Sequence, residues 1–329
     1  MLVTDVKRVL KNGKVMTGYY LDGYLKENLD TIPEFLKKDW DCVGIISGHG
    51  KVRIGKSTMA MQIGYYIAWL LAGGKMKTHF EGKKIIIDER ISPKNPVRFN
   101  LKENVVFSAE DLVKTASRLF RKYGKNQIIV YDEGRQGLDS ARAMESINKV
   151  MVDFFQECGF YNHVILIVLP DFFKLHVDYA VSRSFFLIDC FHTAKYQKGF
   201  FNFYNEKQKE YLYFFGKRRL GVSARYTATN ESFWGRFYKW LPFPKEDYEK
   251  AKMEALEKKA VGRQQKNWKL QRDFLIYYSV REKEATIEDM RRKMKKFVGI
   301  DLSVRTFEDA IANASNYKQL HADANSPTG

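Results

Sequence analysis

Two glycines five residues apart, followed by a lysine and two hydroxyl side chains, lie in the stretch GHGKVRIGKST, which begins at residue 48. Gly50 and Gly55 frame its centre, and Lys56, Ser57 and Thr58 follow directly. Glycines let backbone N–H groups curl around a phosphate, a lysine reaches the outer phosphate oxygens, and a hydroxyl binds Mg²⁺. A helix that begins near Lys56 would add its positive amino end. The pattern GxxxxGK[ST], known as Walker A, therefore predicts that these five residues bind ATP.

Two adjacent carboxylates form a second group with potential chemistry. Asp132 and Glu133 end the apolar stretch IIVYDE, about 75 residues after the glycine loop. An acidic pair at a strand end is often only a solvated turn. Following a Walker A pattern, however, it is typical of Walker B, in which Asp132 holds, through water, the Mg²⁺ that the Ser57 hydroxyl binds. Glu133 would then polarise the attacking water, and Lys56 would contact the reacting phosphates.

Alternating strands and helices are predicted around these motifs. DCVGIIS (41–47) has the apolar, β-branched composition of a buried strand, and the run after the loop has a helical pattern that ends at a glycine pair. Further strands are predicted in NVVF, NQIIVYDEG (126–134), HVILIVLP (163–170) and SFFLIDCF (184–191). Ser108 and Asp111 resemble a capping box, and KKIIIDERISPKNPVRF (83–99) is predicted to be an insertion or an edge hairpin. This order predicts an α/β fold with a parallel sheet flanked by helices.

The motif order resembles that of one division of P-loop ATPases. A strand between the two motifs and the adjacent Glu133 are similar to the additional-strand catalytic-glutamate ATPases. Within that division, GKVRIGKSTMAMQIGYYIA, IIVYDEGRQGLDSARAMESINKVM and YAVSRSFFLID resemble virus and plasmid ATPases of the FtsK/HerA and zonula occludens toxin-like types. The resemblance covers residues 41–195 and implies a RecA-like core that uses ATP and Mg²⁺.

The same resemblance implies a homo-oligomeric ring in which an arginine from a neighbour completes the site. Arg142 and Arg183 are the candidates, each with the alternative of a surface salt bridge, and Arg218 and Arg219 are weaker ones. One feature departs from the family pattern. The fourth strand runs VILIVLPDFF, without the usual polar residue that senses the γ-phosphate, so that role is vacant or falls to Asp171.

The chain after residue 195 has a different character. Two aromatic runs around a polar turn at 206–209 predict a β-hairpin over residues 196–220, and residues 243–266 are predicted to be a charged helical connector. Three short helices with N-caps at Thr286 and Ser303 then predict a helix-turn-helix or winged-helix module over 267–320. Its predicted DNA contacts are Arg291, Arg292, Lys293, Lys295, Lys296, Arg305 and Thr306. The alternative is a helical protein-interaction module with a solvated basic face.

Composition and length set the remaining limits. The 329 residues carry a formal net charge of +17, which favours polyanionic partners such as nucleic acid. The cysteines Cys42, Cys158 and Cys190 lack the spacing of a zinc site or a disulfide framework, so a reducing, cytoplasmic location is expected. No apolar run reaches the roughly 18 residues of a membrane span. The predicted division is an N-terminal extension (1–40), an ATPase core (41–242), the connector, the helical module and a disordered tail (321–329).

Two functions are compatible with this pattern. The first is an ATP-driven nucleic-acid motor for genome packaging, transfer or replication in a virus or mobile element. The second is an ATP-dependent assembly switch with slow turnover, such as a DNA-bound regulator or a helicase loader. A membrane-associated phage-assembly role is disfavoured because no spanning segment follows the predicted core.

Overall fold

The structure is a computed structural model that describes most of the chain. The described residues are 2–9, 15–48, 51, 53–82, 84–132, 159–218, 226–257, 272–273, 275–277, 286–298 and 303–312. The chain divides into two compact units, Met1–Lys252 and Met253–Gly329. Predictions for Gly50, Glu133, Arg142, the helix after Walker B and the C-terminal tail lie outside the described residues.

The strands, in chain order, are β1 Leu2–Val9, β2 Val15–Tyr20, β3 Cys42–Ser47, β4 Lys75–Glu81, β5 Lys84–Ile91, β6 Val105–Val106, β7 Ile128–Asp132, β8 Val164–Val168, β9 Phe186–Phe191, β10 Phe200–Tyr204 and β11 Phe233–Arg236. The helices are α1 Gly23–Asp30, α2 Ile32–Lys37, α3 Lys56–Leu71, α4 Leu101–Asn104, α5 Ala109–Tyr123, α6 Glu206–Arg218, α7 over 245–257, α8 Ile287–Val298 and α9 over 304–312.

Seven strands form the central sheet of the first unit, in the order β11-β10-β9-β3-β8-β7-β6. Strands β9, β3, β8, β7 and β6 run parallel to their neighbours, while β10 and β11 add an antiparallel edge. Helices α3 and α5 pack against the parallel strands. The predicted α/β class and flanked, mostly parallel sheet are confirmed, and the architecture is compatible with a RecA-like fold. Strand β8 separates β3 from β7, the strands that carry the two predicted motifs.

The parallel strands are buried along their whole length. Every residue of β3, β7 and β8 is buried, because helices cover both faces of this kind of sheet. Isoleucine, valine and leucine dominate these strands, and their side chains join the main core with Leu112, Ala116 and Leu119 of α5. The resulting rigid sheet fixes where the carboxyl ends of β3 and β7 lie.

The N-terminal residues pack on the core. Strands β1 and β2 form a two-stranded antiparallel sheet, and α1 and α2 contact α3. The Tyr19 hydroxyl donates a 2.6 Å hydrogen bond to the carbonyl of Gln62, and the Tyr66 hydroxyl donates one of 2.6 Å to Asp30. Residues 23–37 form two helices and not one, because Pro33 at the start of α2 cannot continue α1.

The β-hairpin predicted over residues 196–220 is wrong in its second half. Residues 206–218 form α6, while β10 pairs with β9 and β11. The aromatic enrichment of this segment is typical of a strand. Its buried residues Lys209, Leu212 and Tyr213, however, have the spacing of one helix face. The polar segment read as a turn is the first turn of the helix, where the Asn205 side chain accepts a 3.0 Å hydrogen bond from the Gln208 N–H.

The insertion or edge hairpin predicted at residues 83–99 contains only the second strand of a hairpin, whose first strand begins at Lys75, and this hairpin is not an edge of the central sheet. Strand β5 pairs with β4 in a separate two-stranded antiparallel sheet. The turn contains Gly82, whose φ of +61° favours glycine. Of the capping box before α5, the N-cap is confirmed, because the Ser108 hydroxyl accepts a 3.1 Å hydrogen bond from the Asp111 N–H; the Asp111 carboxylate accepts from the Ser108 hydroxyl.

The second unit has a small apolar core of its own. Ile276, Phe307 and Ala310 are buried together, with Ile287 and Met290 packed against them. The predicted N-caps of α8 and α9 are confirmed, since Thr286 and Ser303 accept hydrogen bonds from N–H groups three residues ahead. Whether these helices form a helix-turn-helix stays a prediction. Across the part of the chain that the structure describes, no helix has the length and apolarity to cross a bilayer.

Candidate functional site

The candidate phosphate-binding loop, residues 48–55, leads from β3 into α3. Gly55 ends it with a φ of +101°, a conformation that favours glycine, and a Cβ at this position would lie 2.7 Å from the Phe237 ring. Arg53 also has a positive φ, of 60°. Helix α3 begins at Lys56, as predicted, and no side-chain hydrogen bond caps its described amino end. Its first N–H groups therefore remain able to bind an anion.

The two predicted motifs meet at one edge of the sheet. Asp132 ends β7, and its Oδ1 accepts a 3.1 Å hydrogen bond from the Ser57 hydroxyl, although 75 residues separate them in the chain. The carboxyl ends of parallel strands lie at the same edge, which explains the meeting. Asp132 is only 1% exposed. Among the described residues, Ser57 of the first motif is therefore in contact with the buried carboxylate of Asp132 in the second.

Lys56 lies among opposing charges at this edge. Its ammonium donates a hydrogen bond to the carbonyl of Lys51, within the loop. Burial lowers the pKa of Lys56, and the charge of Lys252 adds to this shift, while Asp132 and Asp189 oppose it. The ammonium lies within the loop, at the start of α3. The cation is therefore placed where a phosphate entering the loop would meet it.

Two residues of the connector complete the surroundings of Asp132. The Tyr248 hydroxyl and the Lys252 ammonium, both on α7, donate hydrogen bonds to Asp132 Oδ2, and the lysine distance is 3.0 Å. Lys252 also contacts the Tyr248 hydroxyl at 3.0 Å. Burial and the Asp132 charge raise the pKa of Tyr248, so its hydroxyl stays protonated and donates. Residues 245–257 of the predicted connector are helical, and these two side chains are its partly buried contacts with Asp132.

Sequence reasoning missed these two residues because their partner lies more than 100 residues away. Tyr248 and Lys252 are four residues apart and therefore share one helix face, which was the only local signal. The Pro-started, charged composition of residues 243–257 is that of an exposed helix. Only the folded chain brings this face against the end of β7.

The oxygen atoms at this edge fit a magnesium ion held together with a nucleotide. Mg²⁺ is bound by oxygen ligands, through one or two carboxylates plus substrate phosphates. The Ser57 hydroxyl and the Asp132 carboxylate are such ligands, 3.1 Å apart. Within the described ranges, no group of three or more His, Cys, Asp or Glu side chains could hold a metal by itself. The donor set therefore suits an ion that arrives with phosphate.

Further polar side chains at this edge were not predicted. Ser47 of β3 and Asp189 of β9 are register partners, and both are buried. The Tyr226 hydroxyl donates a 3.1 Å hydrogen bond to Ser47 and accepts one of 2.9 Å from the Phe172 N–H. Asp171, the alternative considered for a γ-phosphate sensor, instead accepts a 3.2 Å hydrogen bond from the Phe173 N–H. A hydroxyl from a distant loop thus lies near the end of β8.

Comparison with known proteins adds no family. Scans against protein-family models, curated proteins and solved structures find no match for this chain.

The structure does not bring Arg183 to the loop edge. Arg183 precedes β9. Burial raises the pKa of Asp41, which precedes β3, and the positive charge of Arg183 opposes that rise. Arg183 is exposed at the amino ends of these strands, opposite to Lys56. A role for Arg183 in a neighbouring copy stays a prediction, as does any role for Arg142.

The predicted nucleic-acid residues lie on two helices of the second unit. On α8, Arg292, Lys293, Lys295 and Lys296 are exposed, Arg291 is half-buried, and Arg292 pairs with Asp289 at 2.8 Å. On α9, Arg305 is exposed, whereas Thr306 takes part in the helix cap with a 2.9 Å contact to the Ser303 hydroxyl. The structure collects the α8 cations on one helix, and their contact with nucleic acid stays a prediction.

Proposed function

We propose that this chain binds Mg²⁺–ATP at the edge formed by the phosphate-binding loop and the end of β7, and hydrolyses it. The observation that carries the proposal is the contact between Ser57 and Asp132, 3.1 Å apart and brought together from two predicted motifs. A solvated acidic turn would not have a carboxylate that is 1% exposed. The loop glycine, the lysine and the uncapped start of α3 supply the anion-binding groups that ATP requires.

Each residue has a defined part in this proposal. Lys56 neutralises the β- and γ-phosphate oxygens, and the N–H groups at the start of α3 bind the same phosphates. Ser57 and Asp132 hold the magnesium ion, which supplies charge neutralisation when it is bound. Glu133, which follows directly in the chain, orients and polarises the attacking water. The resemblance to additional-strand catalytic-glutamate ATPases supports this assignment.

The catalytic assignment is tested by steady-state ATP hydrolysis of the wild-type protein and Glu133→Gln. Loss of the general base lowers the rate by about 10²- to 10⁴-fold while nucleotide binding persists. Glu110→Gln is a matched control, because Glu110 is an exposed residue of α5. Equal hydrolysis by wild type and Glu133→Gln would contradict the role of Glu133.

Nucleic acid is the proposed partner of the ATPase. The net charge of +17 and the exposed cations of α8 support a polyanionic partner. As a motor, acting as a homo-oligomeric ring, the protein would hydrolyse ATP faster when single- or double-stranded DNA is added. The measurement is the hydrolysis rate with and without each DNA. Equal hydrolysis rates with and without DNA would count against the motor.

The alternative is an ATP-dependent assembly switch with slow turnover. One observation favours it. Tyr248 and Lys252 of α7 contact Asp132 at the proposed ATP site, and the chain leaves the first unit through α7. A switch would change its oligomeric state with ATP, in light scattering, without stimulation of hydrolysis by DNA. The two measurements on the same preparation separate the two functions.

A further inference from the structure

Tyr248 and Lys252 contact the carboxylate that the proposed function assigns to magnesium. Asp132 Oδ2 accepts from both side chains, and Oδ1 accepts from Ser57. An ionised carboxylate offers about four lone-pair sites, of which these three donors use most. Asp132 is also buried at the rigid end of β7, so its carboxylate cannot turn outward to find another ligand. A cation that needs this carboxylate must share or take one of the occupied positions.

Lys252 is the donor that a metal ion can replace. Its ammonium lies 3.0 Å from Oδ2 and its side chain is 25% exposed, whereas Tyr248 is held by ring contacts with Phe107 and Phe243. A lysine on a flexible stem can withdraw to solvent at small cost. Replacing one ammonium by Mg²⁺ also raises the positive charge beside Asp132, which the phosphates of a nucleotide would balance.

From this geometry, we propose that Lys252 is a tethered counter-ion of Asp132 that competes with magnesium, so that binding of Mg²⁺–ATP releases it and loosens α7. The proposal rests on the proposed ATP site and adds a positioning residue to it. Tyr248 remains as the second contact of α7 with Asp132. The nucleotide state of the site would thereby set how firmly α7 is held, and α7 leads the chain out of the first unit.

The test measures the Mg²⁺ concentration that gives half-maximal binding of a fluorescent non-hydrolysable ATP analogue. Lys252→Met removes the competing ammonium, so the midpoint falls by roughly three- to tenfold, the range expected for loss of one ion pair. Lys250→Met is the matched control, because Lys250 is exposed on the same helix, and its midpoint stays at the wild-type value. An unchanged or higher midpoint in Lys252→Met would overturn the proposal.

A second measurement uses the wild-type protein and does not depend on how the variant folds. Hydrogen exchange of the α7 amides is followed with the analogue and EDTA, and then with the analogue and Mg²⁺. We expect faster exchange over 245–257 with Mg²⁺, and equal exchange would overturn the proposal. If the analogue does not bind at all, the proposed ATP site fails together with this inference, whereas binding with equal exchange overturns the inference alone.

Discussion

At the scale of single residues, the site depends on a few positions whose local demands are strict. Gly55 has a backbone φ of +101°, and a Cβ added at this position would meet the Phe237 ring. Asp132 needs hydrogen-bond donors because a buried, unpaired carboxylate is costly, and three donors from two helices satisfy it. The loop residues could be predicted because they are neighbours in the chain, and Asp132 because it ends an apolar run of strand length. Tyr248 and Lys252 could not, because their role depends on a partner that only folding brings near.

The first prediction concerns Gly55. Substitution Gly55→Ala forces a Cβ into the left-handed region and to within 2.7 Å of the Phe237 ring. We expect a loss of about 1–3 kcal/mol in the free energy of unfolding, together with weaker ATP binding. Gly82→Ala is the control, because its φ is +61° and no atom lies within 4 Å of the added Cβ. Urea unfolding measures both variants, and an equal loss in the two would show that Phe237 contributes nothing.

At the scale of elements, burial patterns predicted the parallel strands well. β3, β7, β8 and β9 were predicted at their observed places because continuous apolar runs bounded by turns are typical of this sheet. The same reasoning failed for residues 206–218, where aromatic residues in a helix imitated a strand. Tyr211, Phe214 and Phe215 are largely exposed there, so composition misled where the spacing of buried residues would have indicated a helix.

His163 joins three elements and gives a pH prediction. Its Nδ1 accepts a hydrogen bond from the Gln127 N–H and its Nε2 donates to the Ala116 carbonyl, so the neutral ring satisfies β7, β8 and α5. Burial lowers the pKa of His163 from 6.5 to about 4. Because the folded state disfavours the charged ring, this stability is complete above about pH 6.5 and is lost as the pH falls toward 4.

The expected loss is on the order of 2–4 kcal/mol over that pH range. Unfolding in urea is followed at several pH values for the wild type and for His163→Gln, whose amide does not titrate. The wild type loses more stability than the variant between pH 6.5 and 4. Parallel pH curves for the two proteins would show that His163 does not titrate on unfolding.

At the scale of the whole molecule, the positive charge predicts salt-sensitive binding of nucleic acid. Affinity for DNA falls steeply with salt when lysines and arginines release counter-ions from phosphates. Lys293→Glu and Lys296→Glu change exposed residues of α8 and should weaken DNA binding and reduce the salt slope, by about one for each lost phosphate contact. Fluorescence anisotropy at several salt concentrations measures this, with Lys102→Glu on α4 as the control. Identical salt slopes for the wild type and all variants would show that DNA contacts residues other than Lys293 and Lys296.

The central claim is that the loop edge beside β7 binds Mg²⁺–ATP, and calorimetric titration of ATP in the presence of Mg²⁺ tests it most directly. The wild-type protein and the control Lys102→Ala, changed at an exposed lysine of α4, are expected to bind with the same affinity. Lys56→Ala is expected to lose binding, because it removes the ammonium that lies within the loop, at the first residue of α3. Absence of heat from the wild type, or equal binding by Lys56→Ala, would contradict the assignment of this edge to ATP.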